Sequence, residues 1–157
     1  MGHVRTRVLA HAPIEILFEM AQKVENFSKF VPALKEVKTL ERSEDGVSAT
    51  VEWTAQAKLL GATRSLTWIQ NDEWDRKNFV CRFCLCQSSD MQRLNGKWEF
   101  RQHPKGTEMI FDIDFQVQHP LVTSPIHLIL DRIMRRNNES MLKGLKRKAE
   151  QEFWTRW

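Results

Sequence analysis

The residues best equipped for chemistry in this 157-residue chain are three cysteines, five histidines, a pair of aspartates and an arginine with a glutamine. Cys81, Cys84 and Cys86 crowd into one segment like a metal clip. Side chains alternate along a strand, so a strand over Phe79 to Gln87 turns Cys81 to one face and Cys84 and Cys86 to the other. A closed zinc site needs about four ligands, and no second Cys or His pair at suitable spacing accompanies them. They read as reduced thiols acting as small apolar strand residues. His3, His11, His103, His119 and His127 fall mostly at turns and element ends, and the chain has neither a Gly-x-Ser-x-Gly elbow nor a His-Glu-x-x-His pair. With no convergent nucleophile, base and acid, the expectation is no catalytic residue, no metal and no cofactor. Asp112 and Asp114 share the parity of a wet strand face, where Lys97 or Arg101 would pair with them. Arg64 and Gln70 stand apart: their parity carries them toward an apolar side, where each needs a partner or a ligand, although an ordinary alternative leaves both in solvent.

The elements that must position these residues follow from period and punctuation. A first strand is expected over His3 to Ala10. Pro13 suits the first turn of a helix carrying Ile14, Leu17, Phe18 and Ala21, and Asn26 caps a second short helix with Phe27, Phe30 and Val31. From Glu36 the period becomes two. Turn signals recur at Ser43 to Gly46, Leu60-Gly61, Asp75 to Asn78, Ser88 to Asp90 and Pro104 to Gly106, which divides the segment into six strands of a meander. One face gathers Val47, Ala49, Val51, Trp53, Ala55 and Ala57, then Phe79, Cys81, Phe83 and Leu85, then Leu94, Gly96, Trp98 and Phe100, then Met109, Phe111, Ile113, Phe115 and Val117. The opposite face is polar, so the sheet has one covered side and one wet side. After a loop through His119 to Val122, Ser124 caps and Pro125 opens a final helix whose apolar face is Ile126, Leu130, Ile133, Met134, Met141, Leu145 and Ala149. No linker, repeat or low-complexity tract interrupts residues 1–157, which read as one domain.

Trp53, Phe83, Trp98, Phe100, Phe111 and Phe115, with Trp68 from the strand Ala62 to Trp74, all point to the covered face. They either fill a solid core or line a hollow, and residue type alone does not separate the two. The net charge of +4 is mild, but Arg132, Arg136, Lys143 and Arg147 form a stripe on the last helix. A solvated helix face is one reading. An anionic membrane surface, with Phe153, Trp154 and Trp157 as interfacial anchors, or ribosomal RNA is the other. Interleaved basic and aromatic residues of a dedicated nucleic-acid reader are missing, and DNA is not an expected partner. The start, Met1-Gly2-His3-Val4-Arg5, has no apolar run of a signal peptide, and no stretch reaches the ~18 apolar residues of a membrane span. A cytoplasmic location is expected.

Several segments together resemble a known family: Ala12-Pro13-Ile14-Glu15-Ile16-Leu17-Phe18, Val24-Glu25-Asn26-Phe27, Phe30-Val31-Pro32, Leu94-Asn95-Gly96-Lys97-Trp98-Glu99-Phe100 and Phe111-Asp112-Ile113-Asp114-Phe115. Their order and spacing resemble the polyketide cyclase/dehydrase group of the START-like, helix-grip (SRPBCC) superfamily, in look closest to its coenzyme Q-binding and ribosome-association toxin branch. The resemblance implies an α+β fold in which a curved antiparallel sheet of about seven strands wraps a long C-terminal helix and encloses a cavity for an apolar ligand. Aromatase/cyclase members carry a Trp-Thr-Ser pattern followed by an arginine; here the run is Ser65-Leu66-Thr67-Trp68-Ile69-Gln70, and the chain has no tyrosine. The leading expectation is a non-catalytic binder of a lipid, isoprenoid quinone or polyketide-like molecule. Its site would be formed by Trp53, Trp68, Phe83, Trp98, Phe100, Phe111, Phe115, Ile133 and Met141, with Arg64 and Gln70 as polar anchors. One alternative is a cyclase or dehydratase with Arg64 standing in for the missing arginine. The other is a ribosome- or membrane-surface protein acting through the basic helix.

Overall fold

The computed structural model describes residues 2–59, 61–117 and 124–155. Leu60, the loop His119 to Val122, and Trp157 lie outside the described residues, as do the side chains of Ser124, Pro125 and Ile126. Seven strands, β1 (Gly2–Ala10), β2 (Leu34–Arg42), β3 (Ser48–Leu59), β4 (Ala62–Asp75), β5 (Val80–Gln87), β6 (Met91–His103) and β7 (Gly106–Val117), form a single antiparallel sheet in the order β1-β7-β6-β5-β4-β3-β2. Between β1 and β2 lie helix α1 (Ile14–Gln22) and a 3₁₀ helix (Val24–Lys29), and the chain closes with α2 (Ser124–Thr155). This is the helix-grip arrangement.

The meander forms because period-two residues can bury one face only by pairing with like neighbours. Register shifts within the β2–β3, β4–β5 and β6–β7 pairs insert the extra residues that bend strands and curve a sheet. The concave face is closed by α2, which packs against β1, α1 and β3. Leu130, Met141, Leu142, Leu145 and Ala149 are its buried apolar side chains among the described residues, gathered on one face by helical spacing. At Gly144 the helix approaches Phe30 so closely that an added Cβ would stand 2.5 Å from the Phe30 Cβ, which is why a glycine occupies this helical position.

Several local expectations are corrected. Val47 belongs to the turn before β3 and is 43% exposed, because Ser43 and the Val47 amide both bond the Asp45 carboxylate and hold the turn open one residue longer. Phe79 is no strand residue: it completes the turn after Asp75 with φ of 53°, and β5 starts at Val80. The second short helix is 3₁₀ and begins at Val24, so Asn26 lies within it rather than capping it. On the wet face Lys97 and Arg101 turn along their own strand to Glu99, at 3.0 and 2.9 Å, while Asp112 takes His3 and Arg5 (3.9 Å) from β1. Cys81 is buried, and Cys84 and Cys86 are exposed on the opposite face, as strand parity requires.

Candidate functional site

Packing at one end of the sheet–helix junction is complete and at the other it is not. At the filled end Phe18 of α1 meets Trp74, Phe79 and Phe100 edge-on, with ring centroids 5.5, 5.3 and 5.4 Å apart. Beyond Trp98 a cavity of about 100 Å³ is left between the sheet and α2. An apolar void of roughly 150 Å³ holds a benzene ring, whereas drug-sized ligands occupy roughly 300–1,000 Å³. The space therefore suits one ring or a short chain.

Its wall is built by strand parity. Trp53 and Trp68 are direct partners across β3 and β4 and stack in parallel at 6.1 Å; Phe83 and Phe111 stack at 5.3 Å across β5 and β7. Phe115, Trp98, Ile133 and Met141 complete the wall from β7, β6 and α2. Val24, Phe27, Val31 and Leu34 close one side, so the 3₁₀ helix and the start of β2 also belong to the site.

Two expected residues lie elsewhere. Arg64 is exposed near the β3–β4 hairpin, and the lining contributed by β4 begins only at Leu66. Phe100 is buried, but it stacks on Trp98 at 5.1 Å and abuts Phe18 in the filled core under α1. Parity alone sends both inward; position along the strand takes them past the ends of the cavity.

Polar groups enter along β4. Trp68 Nε1–H donates to Gln70 Oε1 at 2.9 Å, and Gln70 Nε2–H donates to Asp72 Oδ1 at 2.8 Å. The relay exists because residues two apart share a strand face, close enough for a glutamine to bridge its neighbours. Asp72 is 3% exposed and burial pushes its carboxyl up to about 6, with the Gln70 hydrogen bond opposing that rise. Burial also drives the Cys81 thiol well above its ordinary range, and the nearby Asp72 charge adds to the effect, so this thiol is protonated and a poor nucleophile. Asp72 has the parity of Gln70 and Trp74, and that alternation was the signal for it in the sequence. Asn138, also buried in the lining, sits one turn from Met134 on the apolar face of α2 and was legible in the same way.

A model of the family described as polyketide cyclase / dehydrase and lipid transport matches residues 10–142. The chain belongs to that family. Three solved structures share the family-like fold. A protein from Thermus thermophilus is 24% identical, with 94% of this chain and 97% of that one covered at a TM-score of 0.83. The Zhui aromatase/cyclase from a Streptomyces species is 18% identical, covering 96% and 94% at 0.81. A STAR-related lipid transfer protein from Xanthomonas axonopodis is 11% identical, covering 94% and 85% at 0.73. In this polyketide cyclase/dehydrase family member β4 supplies Trp68, Gln70 and Asp72 to the relay.

The outer face of α2, turned away from the sheet, offers a second feature. Arg132, Arg136, Lys143 and Arg147 are exposed on α2 and form no salt bridge among the described residues. Leu128 and Trp154, each 63% exposed, fall on the same arc of about 100° at the two ends of the stripe. Glu139 and Glu150 share the arc, and Glu150 is engaged by Lys146 at 2.8 Å and by the His11 amide at 2.8 Å. Among the described residues no helix is long and apolar enough to cross a membrane.

Proposed function

We propose that this family member binds a hydrophobic small molecule, a lipid, quinone or polyketide-like compound, with a ring or short chain held between the sheet and α2. The observation that carries this reading is the unfilled, predominantly aromatic and aliphatic cavity at a junction whose other end is tightly packed. The family description and the lipid-transfer relative support it. Cyclase chemistry through Arg64 loses its support because that arginine lies outside the lining.

Organic extraction of purified protein followed by mass spectrometry is expected to release an apolar compound, and tryptophan fluorescence is expected to report binding from a quinone and lipid panel. A protein that yields nothing and binds none of the panel would sink the proposal. Ala55 is the direct β3 partner of Leu66 on β4 and stands beside it in the same wall of the cavity, so Ala55→Phe places a ring in the void. The variant is expected to keep its circular dichroism while losing about tenfold or more of the affinity, since overlapping atoms cannot be accommodated in a close-packed wall.

The unpaired stripe between Leu128 and Trp154 favours one addition to this reading: docking of α2 on an anionic membrane surface, from which an apolar ligand would be taken or to which it would be delivered. Each basic residue near such a surface contributes about 1 kcal/mol, and salt weakens it. Reversing Arg132, Arg136, Lys143 and Arg147 to glutamate is expected to abolish sedimentation with phosphatidylglycerol vesicles. Unchanged vesicle binding, or loss of ribosome cosedimentation instead, would remove the membrane surface as the partner.

A further inference from the structure

The wall of the cavity combines an acceptor without enough donors and donors without an acceptor. Among the described lining residues Asp72 is the only ionisable group besides the Cys81 thiol, and none is a Lys, Arg or His. Gln70 is its single hydrogen-bond partner among the described residues. A carboxylate has room for about four hydrogen bonds. Gln70 accepts from Trp68 through Oε1 and donates to Asp72 through Nε2, which leaves its amide one lone pair and one further N–H. In the same wall three buried N–H groups, Trp53 Nε1, Trp98 Nε1 and Asn138 Nδ2, have no acceptor among the described residues.

The chemical types of ligand head group can be compared against this inventory. An ammonium satisfies Asp72 but offers nothing to the three donors. A ketone or aldehyde oxygen accepts from a donor but leaves Asp72 unsatisfied. A carboxylate accepts from the donors yet brings a second negative charge into a space with no cation. A hydroxyl donates one hydrogen and accepts through its lone pairs, so of these four heads it alone serves both sides. Resting on the proposed binding of an apolar molecule, we infer that the cavity selects ligands whose buried end carries a neutral hydroxyl, an alcohol or phenol, donating to Asp72 and accepting from Asn138 or an indole N–H.

Probes of one size separate this from simple hydrophobic binding. Benzyl alcohol, toluene, benzoate, benzylamine and benzaldehyde share one ring and differ only in the head, and their affinities for the wild-type protein at neutral pH can be measured by calorimetry or tryptophan fluorescence. Benzyl alcohol is expected to bind about tenfold or more tightly than each of the others, the difference made by leaving a buried polar group unpaired. Asp72→Asn is expected to erase most of its lead over benzoate, and Asn138→Leu to shrink the lead of benzyl alcohol over toluene. Equal affinity for all five probes, or a lead for benzylamine or benzaldehyde, would overturn the selectivity and leave apolar binding standing. Failure of toluene and benzyl alcohol alike would remove both. The wild-type ranking decides the matter even if a variant does not fold.

Discussion

Asp72→Asn is expected to stabilise the ligand-free protein at pH 8 and to flatten its stability between pH 4 and 7. Burial raises the Asp72 carboxyl from 3.8 to about 6, which means that the folded protein holds this proton more tightly than the unfolded chain does. Where the native state binds more protons, stability falls as pH rises. The loss begins near the unfolded value of 3.8, grows through the folded value near 6, and is complete above it. At about 1.36 kcal/mol per pKa unit the complete penalty is on the order of 3 kcal/mol, and an uncharged amide that keeps the Gln70 contact avoids it. Glu99 and Glu150 have lowered values, held by Lys97 and Arg101 and by Lys146 against the opposing effect of burial. They contribute stability above their unfolded values that is lost in acid, the opposite sign. The difference between wild type and Asp72→Asn isolates the buried carboxyl from them. Urea midpoints measured at several pH values check this, and two parallel curves across pH 4 to 8 would show that Asp72 is not desolvated as described.

The second large effect lies at the filled end. Phe18 is 1% exposed, and its ring is held edge-on by Trp74, Phe79 and Phe100. Phe18→Ala removes the anchor of α1 on the sheet and leaves a second void beside the existing one. Truncations of this kind cost about 3–5 kcal/mol, the lost burial adding to the cavity left behind. Phe18→Leu, which restores most of the volume, is expected to recover more than half of that loss. Chemical denaturation checks both, and a loss below about 1 kcal/mol for the alanine variant would mean that α1 collapses onto the sheet and that the end is less rigid than its rings suggest. Phe18 does not line the cavity, so any ligand affinity that survives in folded Phe18→Ala protein distinguishes the support from the site.

The face on which each residue stands was legible from order alone. Alternation along Met109 to Val117 placed five side chains inward, and all five are buried. The same rule took Gln70 inward and sorted Cys81 from Cys84 and Cys86, and three- and four-residue steps set Leu130, Met141, Leu145 and Ala149 on the inner side of α2. These are local properties: the period of a backbone fixes which way successive side chains turn, whatever lies far away. Where each inward residue falls along the junction is a different matter. Arg64 and Phe100 have the correct parity and miss the cavity at its two ends, because strand register, bulges and the line taken by α2 determine which stretch is covered, which is filled and which is left hollow. Ion pairing on the wet face behaved likewise, Asp112 finding His3 and Arg5 on a strand more than a hundred residues earlier. Neither the void nor the unmet N–H groups of its wall correspond to any motif; they arise from how distant segments are brought together, and no local period encodes that.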